Sequence, residues 1–181
     1  MVESWFRSAA AGVRAESLDV PITLPAAALR DYREAHPLAR VFSMLDDVLG
    51  QAARDCGAIM AVSDAAGQLL WVCGSPCMLR QAEKIGFIEG SNWDERMAGT
   101  NAPGMALALD ESVQVIGAEH FRRSMHRWSC AATPIHDPTS QSLLGVLDTS
   151  PGATTSWSRR PTRWCAPRHA WPSPSRQEAD R

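Results

Sequence analysis

Residues 93–150 read WDERMAGTNAPGMALALDESVQVIGAEHFRRSMHRWSCAATPIHDPTSQSLLGVLDTS. Large aromatic side chains alternate here with polar groups, and glycines allow the backbone to turn or to pack closely. An apolar wall with a few polar groups is typical of a small-molecule cavity. The stretch contains no complete catalytic constellation, so it indicates binding rather than chemistry.

The hydrophobic pattern predicts three strands in this stretch, at residues 113–116, 128–135 and 143–149. A helix of small residues at 102–109 precedes them, and a loop or short helix at 119–127 separates the first two strands. Upstream, residues 58–63 and 68–73 read as a hairpin around the turn at 64–67. Further helices are predicted at 24–35, 38–53 and 76–85, and Ser4 is predicted to cap a short N-terminal helix. Hairpins imply antiparallel pairing, so the predicted fold class is α+β, with helices flanking an antiparallel sheet.

The predicted helix at 38–53 has apolar residues at helical spacing. They are Leu38, Val41, Phe42, Leu45, Val48 and Leu49. Residues spaced in this way lie on one side of a helix, so we expect a single stripe against the core.

Composition limits the classes of protein. The chain has 181 residues, of which 45% are hydrophobic, and a net charge of -2. This favours one globular domain with tails and gives no electrostatic reason to expect nucleic-acid binding. No apolar stretch is long enough to span a membrane and no signal peptide is apparent, which predicts a cytoplasmic protein. In a reducing compartment the five cysteines are expected to be free thiols.

Several motifs resemble one family. SDAAGQLLWVCG, WDERMAGTNAPGMALAL, VQVIGAEHF, WSCAATPIHDP and LLGVLDTS resemble the GAF domain at the front of bacterial transcriptional regulators, of the acetoin-catabolism type of enhancer-binding activator and its actinobacterial relatives. The resemblance implies an antiparallel sheet of about six strands, a small-molecule pocket over one face, and output through another domain. It places a GAF-like sensory domain at residues 36–150 behind an N-terminal helical segment at 1–35. Direct DNA binding is not expected.

The tail at 151–181 is predicted to be irregular, because it mixes Trp, Arg, Pro and Ser without periodicity. One interpretation is a disordered basic tail. The other is a frameshift near Gly152, since a shifted reading of residues 163–167 resembles the helix that follows the domain in this family. If a helix has been lost, the apolar side chains of the 38–53 helix are expected to be exposed and to form a dimer. The side chains expected to line that surface are Leu38, Val41, Phe42, Leu45 and Leu49.

The candidate ligand-binding residues lie in the quoted stretch. They are Trp93, Glu95, Thr100, Asn101, His120, Phe121 and Trp128. Each has a structural alternative: the aromatic side chains as core, Asn101 as a helix cap, and His120 as a residue that orders its loop. Glu95 and Arg96 either belong to a solvated charge run or pair with each other across the lip of the cavity. The spacing of His and Cys matches no zinc pattern, so we expect no metal and no cofactor.

Two other functions remain open. Some GAF-fold proteins reduce free methionine sulfoxide with cysteines, and Cys73 and Cys77 are the nearest pair to the predicted pocket. The second alternative is a dimerisation module built on the N-terminal helices. We expect a non-enzymatic sensor that binds an unidentified small molecule as a homodimer.

Overall fold

The computed structural model describes residues 1–18 and 20–151. Five strands form one antiparallel sheet in the order β2-β1-β5-β4-β3. The strands are β1 Ala58–Asp64, β2 Leu69–Gly74, β3 Val113–Ile116, β4 Ser129–His136 and β5 Leu143–Pro151. The helices are α1 Val2–Ala10, α2 Ala26–Ala35, α3 Ala39–Leu45, α4 Gln51–Asp55, α5 Pro76–Glu83, α6 Glu95–Ala98 and α7 Ala102–Leu109.

The predicted fold class, α+β with an antiparallel sheet flanked by helices, is confirmed. The described residues contribute five strands, where the resemblance implied about six. β5 lies in the centre of the sheet, and it places Asp148 opposite Ala61 of β1 and Ala132 of β4. The irregular tail was predicted at 151–181; Pro151 instead ends β5, and residues 152–181 lie outside the described residues.

The helix predicted at 38–53 begins as α3, continues through a π-helical turn at Asp46–Gly50 and ends as α4. Leu38 is buried and Phe42 stacks on Trp71 with ring centroids 4.3 Å apart. Val41 and Val48 are 40% and 63% exposed, so the prediction that they join the core stripe is wrong. Val41 and Val48 are rotated around the helix axis away from the inward-facing residues Leu38 and Phe42. Only a narrow strip of this helix therefore faces the core.

The prediction that Ser4 caps the first helix is also wrong. α1 begins at Val2, Met1 is its N-cap residue, and Ser4 lies inside the first turn. Ser4 is 1% exposed, and its hydroxyl is hydrogen-bonded to the side chains of Glu95 and Thr100 instead of accepting from the backbone of its own helix. Long-range hydrogen bonds in a buried site outweigh the local preference of serine for a cap.

The main core lies between one face of the sheet and a layer made by α5, α7 and the loops around them. Its buried members include Ile59, Ala61, Phe87, Trp93 and Met105. The segment predicted as a loop or short helix at 119–127 contains a 3-10 turn at Arg123–Met125. Its first residue is the last residue of another 3-10 turn, Gly117–Glu119. In the part of the chain that the structure describes, no helix has the length and apolar character needed to cross a bilayer.

Candidate functional site

An enclosed cavity lies between the inner face of the sheet and the aromatic layer that covers it. Its lining residues are Ile85, Phe87, Trp93, Pro103, Met125, Trp128, Cys130 and Ser150. Its volume is about 10 Å³, which is close to the space of one water molecule. A larger occupant therefore requires side chains of the wall to move.

Trp93 forms the rigid side of the cavity. It is fully buried and its ring meets the ring of Phe87 edge to face, with centroids 4.7 Å apart and an interplanar angle of 74°. The indole Nε1–H donates to Ser91 Oγ at 2.9 Å, so the polar atom of the ring has its partner. Trp93 can therefore offer apolar ring surface to a ligand without leaving a donor unpaired.

The sheet side of the cavity is polar at one place. Ser150 Oγ donates to Asp148 Oδ2 at 2.8 Å and lies 3.1 Å from Cys130 Sγ. Burial raises the pKa of Asp148 to about 7 and raises the pKa of the Cys130 thiol well above its usual value. At neutral pH the carboxyl group is thus close to half protonated, and the thiol keeps its proton.

His120 is fully buried beside the Gly117 carbonyl, which lies 3.0 Å from its Nδ1. Burial lowers its pKa to about 4, so the ring is neutral at pH 7. A carbonyl oxygen only accepts, so Nδ1 carries the proton and Nε2 is left as an acceptor. Nε2 has no hydrogen-bond partner among the described residues.

Glu95 and Thr100 face the N-terminal helix. Ser4 Oγ donates to Glu95 Oε1, and it lies 2.7 Å from Thr100 Oγ1. Arg7 Nε donates to Glu95 Oε2 at 2.7 Å, and Ser8 Oγ lies 3.1 Å from Thr100 Oγ1. These two candidate residues therefore hold α1 against the domain.

Asn101 is the N-cap of α7: its Oδ1 accepts from Gly104 N–H at 2.8 Å. Its Nδ2 donates to Trp93 O at 3.0 Å and to Gly99 O at 2.6 Å. A Cβ on Gly104 would lie 2.8 Å from Trp93 O, so the close packing of this helix start on the Trp93 loop requires glycine. Asn101 thus positions Trp93.

Of the seven candidate ligand-binding residues, the structure places Trp93 and Trp128 on the cavity wall. Phe121 packs outside it, edge to face with Trp5 at 5.4 Å. The structure does not bring the candidates to one surface, because Glu95, Thr100 and Asn101 make contacts within the protein. Neither interpretation of Glu95 and Arg96 holds for Glu95, which is buried rather than solvated and does not pair with Arg96, because Arg96 pairs with Asp94 at 2.8 Å.

Sequence reasoning missed the polar group on β5. Asp148 and Ser150 are two residues apart on a strand, so their side chains share a face, and Val146 on the same face is buried. Aspartate is disfavoured inside strands. An aspartate within the predicted strand at 143–149 was therefore the signal in the sequence that could have indicated a functional carboxyl group.

Comparison with known proteins identifies the family. The model of the family "MimR, N-terminal domain" matches residues 1–157. The chain belongs to the MimR N-terminal domain family. A Rhodococcus erythropolis protein, "Uncharacterized 47.3 kDa protein in thcA 5'region", is 43% identical over 152 residues, which cover 84% of this chain and 35% of that protein. The Bacillus subtilis acetoin dehydrogenase operon transcriptional activator AcoR is 34% identical over 152 residues, which cover 83% of this chain and 25% of the activator.

A solved structure supports the same assignment. The crystal structure of the E. coli DhaR(N)–DhaL complex matches with a TM-score of 0.70 and 25% identity, over 86% of this chain and 54% of that one. The chain spans about a third or less of the length of its AcoR and Rhodococcus relatives. The resemblance to the front domain of transcriptional regulators is confirmed.

Two further observations concern metal binding and thiol chemistry. Among residues 1–18 and 20–151, no group of three or more His, Cys, Asp or Glu side chains is placed to hold a metal ion. Burial and a hydrogen bond with Asp46 raise the pKa of Cys73 to about 12. Since the thiolate is the nucleophile, Cys73 is a poor candidate for thiol catalysis at neutral pH.

Proposed function

We propose that the domain senses a small molecule in the enclosed cavity and passes the change on to a transcriptional output. The observation that carries the proposal is the cavity itself, which is apolar on the Trp93 side and polar at Ser150. This combination suits a ligand that buries apolar surface and is oriented by one or two hydrogen bonds. Its family membership supports the regulatory role.

Part of the cavity wall belongs to a segment that we call the cover, residues 119–128. Met125 and Trp128 of the cover line the cavity. Arg122 donates from Nε to Ala98 O at 2.8 Å and from Nη2 to Met97 O at 2.8 Å. A ligand that displaces Met125 therefore strains the contacts between the cover and α6.

The cover also touches the N-terminal helix. Trp5 Nε1 of α1 donates to Glu119 O at 2.9 Å, and Arg123 N–H donates at 2.9 Å to Ala15 O in the segment that follows α1. Movement of the cover would shift α1, which is exposed on its outer side. A ligand shifts such an equilibrium only by its difference in affinity for the two arrangements.

Native mass spectrometry of the purified protein, followed by titration with small neutral compounds monitored by NMR, tests the proposal. Acetoin is a suitable first compound, because the name of the B. subtilis relative refers to the acetoin dehydrogenase operon. Met125→Trp should fill the cavity and abolish binding. Met97→Trp is the matched control, because Met97 is 43% exposed and lies outside the cavity. Equal binding by both variants would place the ligand elsewhere.

We also propose that the domain forms a homodimer through α3 and the turn after it. Val41, Met44 and Val48 are 40%, 59% and 63% exposed, and they follow one another at helical spacing. The residues expected from the sequence to line this surface are largely turned inward, since Leu38 is buried and Phe42 lies on Trp71. A self-complementary stripe on one helix suits a two-fold contact with a second copy.

A further inference from the structure

Asp148 lies in the middle of the central strand, on the face that bounds the main core. Its neighbours across the sheet are Ala61 and Ala132, two small apolar residues. Asp148 is 1% exposed. A carboxyl group in such a position is costly to bury unless its oxygens have partners.

Only one of the two carboxyl oxygens of Asp148 has a partner. Oδ2 accepts from Ser150 Oγ at 2.8 Å, whereas Oδ1 has no hydrogen-bond partner among the described residues. The raised pKa has burial as its main cause, with an opposing contribution from Ser150 and none from a basic group. The carboxyl group therefore retains one unused acceptor in the interior.

The residue that carries this unused acceptor is hydrogen-bonded to the cavity wall. Ser150 lines the cavity, and Asp148 lies two residues before it on the same face of β5 and is hydrogen-bonded to it. The rest of the wall is apolar except for Cys130, whose thiol is a weak partner. Ser150 is thus the polar residue of the wall, and Asp148 is its hydrogen-bond partner directly behind the wall.

We propose that Asp148 is the recognition group for a short, uncharged ligand that bears a hydroxyl group, an inference that rests on the proposed sensory function. When the side chains of the wall move to admit the ligand, its hydroxyl donates to Oδ1 of Asp148, Ser150 keeps its bond to Oδ2, and the carbon chain packs against Trp93 and Met125. An ammonium ion fits less well, because it brings three donors and the mostly apolar wall would leave most of them without a partner. An anion is disfavoured by the carboxylate and by the apolar wall.

A matched pair of probes tests the role of the hydroxyl. Acetoin and butanone share a carbon skeleton and a ketone, and acetoin has one additional hydroxyl. At pH 8 Asp148 is largely ionised and cannot donate to the shared ketone. NMR titration of methyl-labelled Met125 should show at least about tenfold tighter binding of acetoin than of butanone, since a hydrogen bond to a charged group is a strong one. Butan-2-ol and propane-1,2-diol extend the set to other short alcohols.

Variants separate the inference from the proposed function. Asp148→Leu removes the acceptor and should bind acetoin and butanone equally, while Glu111→Leu on the exposed turn before β3 should keep the tenfold preference. If Asp148→Leu does not fold, Asp148→Asn serves instead and should reduce the preference severalfold, because an amide oxygen is a weaker acceptor than a carboxylate. The role of Asp148 is overturned if the wild type binds acetoin and butanone equally well. It is also overturned if the preference for acetoin survives Asp148→Leu and Asp148→Asn. Either result leaves the proposed sensory cavity intact. No binding by any of the compounds overturns the inference, whereas the proposed function fails only if native mass spectrometry also finds no ligand.

Discussion

Arg7 Nη2 and Glu95 Oε2 lie 2.6 Å apart, although the residues are separated by 88 positions in the sequence. The Glu95 side chain is 4% exposed, whereas the Arg7 side chain is 40% exposed. Removing one partner therefore has a different consequence for the charge of the other. Without Arg7 a carboxylate stays buried, and without the charge of Glu95 the guanidinium can still reach water.

Arg7→Ala should consequently destabilise the protein more than Glu95→Gln does. We expect Arg7→Ala to lower the free energy of unfolding by about 2–3 kcal/mol, and Glu95→Gln to lower it by about 1 kcal/mol. The double substitution should cost less than the sum of the two, because the atoms interact directly. Urea denaturation measures all three values.

Arg96→Ala is the control for this comparison. Arg96 also forms a salt bridge, with Asp94, but its side chain is 78% exposed. Exposed pairs of this kind contribute little, so we expect a change within about 0.5 kcal/mol. Equal losses for Arg7→Ala and Arg96→Ala would contradict a special role of the buried carboxylate.

The dependence of stability on pH should report two buried groups with opposite signs. Asp148 titrates at about 7 in the folded protein and near 3.8 in the unfolded chain. Between these pH values the folded state binds more protons, so the free energy of unfolding falls as the pH rises. His120 titrates at about 4 when folded and near 6.5 when unfolded, so its contribution rises with pH over that interval.

The two effects oppose each other from about pH 4 to 6.5, and each has a limiting slope of about 1.4 kcal/mol per pH unit. Asp148→Asn should therefore give a protein whose stability increases more steeply with pH in this interval. His120→Gln should give a protein whose stability increases less steeply with pH. His36, whose pKa is also lowered by burial, is present in all the variants and contributes equally to each. Urea titrations at several pH values measure the slopes. Parallel profiles for the wild type and Asp148→Asn would contradict the raised pKa.

Asn101 should be among the most sensitive polar positions of the domain. It is fully buried and makes three hydrogen bonds, to Gly104, Trp93 and Gly99. Asn101→Ala removes the cap of α7 and leaves two carbonyl oxygens without a donor, so we expect a loss of about 2–4 kcal/mol.

Ser75→Ala provides the matched comparison, because Ser75 caps α5 by a longer bond of 3.4 Å from Met78 N–H. Its loss should be about 0.5–1 kcal/mol. Thermal unfolding ranks the two variants, and a smaller loss for Asn101→Ala would be inconsistent with its three contacts.

The cysteines should differ in their reaction with iodoacetamide. Cys77 is exposed, Cys73 has a pKa of about 12, and the pKa of Cys130 is raised well above the usual value by burial. Because the thiolate reacts, peptide mapping at pH 8 should find Cys77 modified well before the other two. Cys73→Ser and Cys77→Ser should each leave ligand binding unchanged and stability within about 1 kcal/mol. Rapid modification of Cys73 would contradict its raised pKa and would support thiol chemistry at this residue.

Val48→Glu should disrupt the proposed homodimer. A carboxylate on the exposed stripe would be buried without a partner in a two-fold contact. Light scattering after size exclusion should show a dimer for the wild type and a monomer for the variant. Glu34→Gln on α2, outside the stripe, should stay dimeric. A monomeric wild type at micromolar concentration would contradict the homodimer.

Local patterns were sufficient for most of the fold. Apolar runs between turn signals predicted the five strands of the described residues to within one or two residues of their ends, and Asn101 was correctly predicted as a helix cap. These features depend on interactions between residues close in the chain, namely strand pairing across short turns and a side chain that accepts from the third residue on.

The contacts of the polar side chains were decided by the tertiary structure. The sequence places Glu95 in a charged run of Asp94, Glu95 and Arg96, and nothing local shows that Arg7 reaches it. Asp148 likewise follows a run of ordinary strand residues, and only the pairing of β5 between β1 and β4 encloses it among alanines beside the cavity. The pattern of the sequence determines which segments become strands and helices, because that choice is local. The burial and pairing of a polar group, and whether it keeps an unused acceptor, depend on elements that lie far apart in the chain. These properties are therefore determined only when the helices and strands pack together.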